Sequence, residues 1–468
     1  MKSDLIHLKA LEMEKLAKEK ALKPELFPET TWVDDRETLE KLGIHIPGKD
    51  NLPRAFLKFM PSDFIVEETS LDGKQTNISI IGDGVGDEEG GTVYATLIKC
   101  GLSTIEAVEE LSKLLETTKD KIQYAGIKDK DALTAQILSF RGIPKERVLS
   151  IKSPHFILKD IHAGKGVMQK GTLKGNKFTI LLRIGEDIHD ETKMKNALEA
   201  VKRVEQNGFY NFFYLQRFGA PRLNNYKWAL SILKGDYEKA IRGLIADAGL
   251  REIPYFIERR KEIISLAPNW GMVLERLNEF PLIFPSEIKV VEHLVDKPQD
   301  FVGALLKIEE QVNLWVSALA SYLYNRKISS YIMAGIEPPK SLPLFTSADK
   351  NDWLPYADDM ESVGIFPPNW NNLRPFRSII ITKRDIMTKD RPEIFGVEVV
   401  NEGIIVSFSL GKGEYATTFL SHFLNLLNGK PENLHTEIVD TKKVLGEGDS
   451  EKTLDYFQSV NLPKAINL

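Results

Sequence analysis

One change of texture constrains the fold more than any other feature of the sequence. Residues 225–260 and 300–335 place apolar side chains mostly at helical spacing, whereas the segments on either side include runs with the alternation of strands. Proline punctuates 267–285 and 338–368. A block of one period set inside a chain of mixed periods reads as a helical domain inserted into an α/β chain, because each domain needs its own core. The 468 residues leave room for about two to four domains. The expected division is an N-terminal extension over 1–50, a first sheet-bearing part over 51–210, the insertion over 211–375, a second sheet-bearing part over 376–430, and a tail over 431–468.

Several elements can be placed by pattern. The run VYATLIK reads as a strand, and Ser103 with Glu106 forms a capping box that opens a helix with Ile105, Val108, Leu111 and Leu115 on one face. Residues 121–127 read as a short strand entering a turn, and 132–140 fit either a helix or a strand. Strands are expected from Lys177, over Ser378–Thr382 and over Gly403–Leu410, where Ile404, Val406, Phe408 and Leu410 alternate with a more polar face. A last helix is expected from Tyr415, with Ala416, Phe419, Leu420, Phe423, Leu424 and Leu427 on one side. The N-terminal residues suit an exposed helix with Leu5, Leu8, Leu11 and Leu16 near one face, and both termini look peripheral. The acidic, glycine-rich stretch Gly82–Gly91 lacks the spacing of a calcium loop and reads as surface.

Composition removes several function classes. No apolar run reaches the length of a bilayer span, and the charged N-terminus does not resemble a secretory signal. The single Cys100 rules out an intrachain disulfide and a cysteine-based zinc site, and the eight histidines form no metal-ligand spacing. A cytoplasmic protein without a structural metal is the expectation. The net charge of -5 does not suggest a nucleic-acid binder, but the charge is uneven. Gln206–Gly235, Ile161–Gly185 and Ser362–Arg384 contain no acid. The first combines Arg217, Arg222, Lys227 and Lys234 with Phe209, Tyr210, Phe212, Phe213, Tyr214, Phe218, Tyr226 and Trp228. Cations neutralise phosphates and aromatic faces stack on unpaired bases, so these windows suggest RNA; buried aromatics and solvated cations are the plainer alternative.

The segment YAGIKDKDALTAQ sets Asp129 between Lys128 and Lys130 after a glycine-containing turn. Flanking cations favour an ionised carboxylate, which can act as a nucleophile or a base. The same residues also suit an ordinary turn, with Asp131 as the N-cap of a following helix.

The order of motifs separates these readings. YAGIKDKDALTAQ resembles the signature of the tRNA pseudouridine synthase D (TruD) family at Ala125, Gly126, Lys128, Asp129, Ala132, Thr134 and Gln136. KFMPSDFIVEE from Lys58, LKGNKFTILLR from Leu173, NFFYLQRFG from Asn211, SYLYNRKIS from Ser321 and VSFSLGKGEYATTFL from Val406 resemble further family motifs in the same order. The resemblance runs from about Arg54 to about Leu427, with departures at Ser62, Ala320, Gly411, Ser421 and His422. It implies an α+β fold: a pseudouridine synthase catalytic domain on a mixed, mainly antiparallel sheet, plus an inserted, mostly helical TRUD domain. It also implies isomerisation of uridine to pseudouridine in tRNA, at the family's usual uridine 13, with Asp129 as the catalytic residue. Lys58, Lys128, Asn176, Phe178 and Arg217 are the implied substrate-binding residues, with Phe178 placed to stack on uracil and Arg217 to hold a phosphate or a carboxylate. The chemistry is redox-neutral and implies no cofactor and no metal. The implied partner is tRNA, or another structured RNA, met by a monomer in a cleft between the two domains. A catalytically inactive RNA-binding protein of the same fold is the alternative. A glycoside hydrolase would need two carboxylates at a set separation, and no motif supports one.

Overall fold

The computed structural model describes residues 2–27, 33–47, 51–345, 349–379, 384–428 and 434–463. The chain forms two compact units. A helical unit comprises Met1–Thr31, Asp35–Pro47 and Tyr210–Lys389, and a sheet unit comprises Trp32–Asp34, Gly48–Phe209 and Asp390–Leu468.

The sheet unit carries eleven strands: β1 (Val33–Asp34), β2 (Arg54–Phe56), β3 (Phe64–Thr69), β4 (Thr92–Cys100), β5 (Ile122–Tyr124), β6 (Leu133–Arg141), β7 (Phe156–Gly164), β8 (Gly175–Arg183), β9 (Glu393–Val400), β10 (Gly403–Gly411) and β11 (Asn425–Asn428). Their order is β1-β11-β2-β8-β3-β6-β4-β7, with β10 also on β8, β9 on β10 and β5 on β6. Pairing is parallel at β3/β6 and β11/β2 and antiparallel at the other described ladders, so the sheet is mixed and mainly antiparallel, as expected.

The strands send alternate side chains to opposite faces, and each face has its own cover. On one, Leu97, Leu138 and Phe140 pack against Ala107, Val108 and Leu111 of the Thr104–Leu114 helix. That helix begins where its capping box predicts: Ser103 Oγ accepts from Glu106 N at 3.2 Å, and Glu106 Oε2 accepts from Ser103 N at 2.8 Å. Ile105, expected on the buried side, is exposed. On the other face, Ile65, Ile98, Cys100, Leu133 and Ala135 pack against Leu454 and Phe457.

The tail is therefore part of the core and not peripheral. The wholly buried Arg183 pairs twice with Asp63, at 2.7 and 2.8 Å, and donates to the main-chain oxygens of His435 and Glu437. Lys442 meets the buried Glu67 at 2.6 Å. Asn461 bonds reciprocally with Ser62 through its side-chain amide, at 2.9 Å in each direction.

Other sequence-level expectations are corrected. Residues 133–141 form strand β6, so Asp131 caps no helix. The helix expected from Tyr415 is short, Ala416–Leu420, and the chain then extends into β11 beside β2. Its helical spacing arose because Phe419, Leu420, Phe423, Leu424 and Leu427 are all buried, by more than one element. Ser378 and Ile379 are not in a strand, and residues 380–382 lie outside the described residues.

In the helical unit, seven helices follow one another: Asn225–Leu233, Tyr237–Ala246, Pro254–Ser265, Trp270–Leu277, Pro285–Asp296, Phe301–Leu306 and Glu309–Met333. Pro254 and Pro285 occupy first-turn positions, where a missing N–H costs nothing. The N-terminal helix, Lys2–Leu22, is bound into this unit: Glu12 Oε1 accepts from Leu282 N at 2.6 Å and Lys15 pairs with Glu279 at 2.7 Å. Leu16 is buried there, while Leu11 is exposed.

In the aromatic window the plainer alternative holds for most of the rings. Phe209, Phe212, Phe213, Tyr214, Phe218 and Trp228 are buried core residues, not faces open to bases. Arg222 is buried too, donating to Leu244 O, Gly243 O and Asp247 O and pairing with Glu287. Among the described residues no helix is long and apolar enough to cross a membrane.

Candidate active site

Asp129 sits in the loop that joins β5 to β6. The loop is anchored through Gln136, the last residue of its motif: Gln136 Nε2 donates to Gly126 O at 3.0 Å, and Gln136 Oε1 accepts from Thr104 Oγ1 of the helix at 2.7 Å. Thr104 Oγ1 in turn accepts from Lys128 N at 2.8 Å. These buried polar groups satisfy one another, which ties the loop to the strand and to the start of the helix.

Lys128 and Asp129 then diverge. The Asp129 side chain is 56% exposed and pairs with Lys58 at 2.7 Å. Lys58 stands at φ +58°, a left-handed conformation rare for a side chain of this kind, and its ammonium lies 4.2 Å from the centre of the Phe64 ring. Lys128 turns inward and is 5% exposed. Its ammonium meets Glu68 at 2.7 Å and donates to Asn176 Oδ1 at 2.7 Å. The ammonium only donates, so it fixes the orientation of the Asn176 amide and turns the NH2 away from itself.

Asn176 and Phe178 share a face of β8, as alternation requires. Phe178 stacks on Phe408 of β10 at 5.3 Å and 17° and meets the edge of Phe64 of β3 at 5.9 Å. The glycine of the G-N motif allows this closeness: a Cβ on Gly175 would lie 2.2 Å from Leu410 O. Lys58, Lys128, Asp129, Asn176 and Phe178 are thus brought together in the sheet unit. Arg217 is not among them: it belongs to the helical unit, on the turn Leu215–Phe218, with its guanidinium 5.2 Å from the Phe213 ring.

Sequence reasoning missed two groups here. Glu68 is the buried partner of Lys128. Lys99, at the end of β4, is wholly buried and donates to the main-chain oxygen of Asp129 at 2.6 Å. Burial pushes its ammonium down to about 8, against the pull of the Asp129 carboxylate. The signal was present in VYATLIK, where a lysine interrupts a strand whose other residues are nearly all buried. On the helix beside it, burial raises Glu106, but Lys130 and the Ser103 N–H outweigh that and hold it at about 2.

Three loops meet at the site. Gly171 N donates to Ala125 O at 2.7 Å, and Lys412 Nζ donates to Gly171 O at 3.1 Å. Lys170, Lys174 and Lys412 are exposed on these loops.

The family model of tRNA pseudouridine synthase D (TruD) matches residues 54–343, more than half of the chain. The chain is 25% identical over 346 residues to a protein of Methanopyrus kandleri named "Probable tRNA pseudouridine synthase D", covering 70% of this chain and 84% of that one. It is 26% identical over 390 residues to the protein of the same name from Methanococcus aeolicus, covering 79% and 95%. A crystal structure from Methanosarcina mazei, described as a "Putative tRNA pseudouridine synthase D (TruD)", has the same fold, with a TM-score of 0.64 at 22% identity over 82% of this chain and 97% of that one. The clamped loop, the strand motifs around it and the matched span lead to one conclusion: the chain belongs to the tRNA pseudouridine synthase D family.

Proposed function

We propose that the protein isomerises uridine to pseudouridine in tRNA, at uridine 13, with Asp129 as the essential residue. The observation that carries this reading is an exposed carboxylate, paired with Lys58 at 2.7 Å, on a loop anchored to the sheet by Gln136 and to the helix by Thr104. In the reaction the bond from ribose C1′ to uracil N1 breaks, the uracil turns, C1′ bonds to C5, the C5 proton leaves and N1 gains one. Asp129 acts at the ribose, by attack at C1′ or by removal of a ribose proton. Phe178 offers a ring face to the uracil, and the Asn176 NH2 is a donor for the ribose or base. Lys128 works from beneath, by fixing Asn176. A uridine inside folded RNA must leave its stack to be reached, and Lys170, Lys174 and Lys412 hold the phosphates beside it.

The test is to incubate the protein and an Asp129→Asn variant with tRNA transcripts and to map pseudouridine. Product at uridine 13 is expected from the parent and none from the variant. No product from the parent on any tRNA would overturn the activity, and product from the variant would overturn the role of Asp129.

A further inference from the structure

Four lysines are buried in the sheet unit among the described residues: Lys99, Lys128, Lys159 and Lys442. Three have a carboxylate beside them. Lys128 meets Glu68 at 2.7 Å, Lys442 meets Glu67 at 2.6 Å and Lys159 meets Asp160 at 3.7 Å. Lys99 is the exception. Its one hydrogen-bond acceptor among the described residues is the main-chain oxygen of Asp129, at 2.6 Å. A buried cation without a counter-ion in contact is expensive, so the packing of this strand would be better served by an apolar residue.

The surroundings show what the charge acts on. The charged groups that act on Lys99 from its own side are Asp129 and Lys128 of the loop and Glu106 of the adjacent helix, and the Cys100 thiol acts on it from the opposite face of its own strand. Its cross-strand neighbours, Thr134 on β6 and Phe156 on β7, carry no charge. The residues flanking Asp129 are already tied to the helix, Lys128 through its N–H to Thr104 and Lys130 through its ammonium to Glu106 at 2.7 Å. The carbonyl of Asp129 itself is tied by Lys99 alone among the described residues.

We propose that Lys99 is a positioning residue for the isomerisation: its ammonium pins the Asp129 main chain from below and so aims the carboxylate at the ribose. The proposal rests on the reading of Asp129 as the reacting group. Lys99 does not touch RNA, so it acts on the rate and not on tRNA affinity.

The experiment measures single-turnover pseudouridine formation and tRNA affinity for the parent, Lys99→Met, Lys99→Arg and Asp129→Asn, between about pH 6.5 and 9.5. Lys99→Met is expected to slow the reaction by about 100-fold with tRNA affinity unchanged, the cost of a loosely placed reacting group. The parent rate is expected to fall as pH rises through the region where the buried ammonium loses its proton. Lys99→Arg is expected to recover part of the rate without that fall, because a guanidinium stays charged. A parent rate that stays level up to the highest pH overturns the proposal, and this measurement needs no variant to fold. An inactive Asp129→Asn beside a full-rate Lys99→Met overturns the proposal alone, whereas an active Asp129→Asn overturns the reading beneath it.

Discussion

Lys128 and Asp129 are neighbours in sequence with opposite environments, and that contrast defines the site. Removing the Lys128 ammonium would leave Glu68 buried without its cation and Asn176 without its donor. Lys128→Met is expected to lower stability by about 3–5 kcal/mol, read as a lower urea midpoint, and to slow the reaction as well. Lys99 gives a pH dependence of known sign. Burial holds its ammonium at about 8, whereas an unfolded lysine titrates near about 10.4. Between these values the unfolded chain binds the extra proton, so stability rises with pH across that window and reaches its full gain above it. Denaturant midpoints at successive pH values check this, and Lys99→Met is expected to flatten the rise. At this scale the sequence was only partly legible. The residues around Asp129 suit a plain turn, and motif order separated the readings. Glu68 stayed hidden because its strand pairs across a long sequence separation, and Lys99 left only the trace of a lysine in an otherwise apolar strand.

At the scale of elements, β3 joins the two faces of the sheet. Glu68 points toward the loop and its Lys128, and Glu67 toward the tail and its Lys442. Lys442→Met is expected to cost about 3–5 kcal/mol, because Glu67 would keep only neutral donors at a buried site, and thermal or chemical unfolding would show it. The tail also accounts for one departure from the family pattern. Ser62 is buried and short enough to exchange hydrogen bonds with Asn461 of the tail. Strands β4, β8 and β10 and the capping box were legible because each carries a strong local pattern. The tail was not, because it contributes only a few apolar side chains and anchors itself mainly through polar groups. The segment after Tyr415 misled because complete burial imitates helical periodicity.

At the scale of the whole molecule, a chain of net charge -5 has to bind a polyanion through a local patch. RNA affinity is expected to fall steeply as salt rises. Replacing Lys170, Lys174 and Lys412 with glutamine is expected to reduce the slope of log affinity against log salt by about 2 to 3. An unchanged slope would place the phosphate contacts elsewhere. The plan of a helical block set into a sheet-bearing chain was visible in the change of period, but the pairing of β8 with β10 was not, since nothing local links residues more than two hundred positions apart. That pairing bears on biosynthesis. During translation β8 emerges first, and its free edge waits while the whole helical insertion is made, a delay of roughly ten to forty seconds at ordinary elongation rates. Until β10 arrives, Phe178 lacks Phe408 and an unpaired strand edge is open to other chains. The nascent protein therefore has a window of vulnerability to aggregation, and chaperones on the ribosome would have most to protect there.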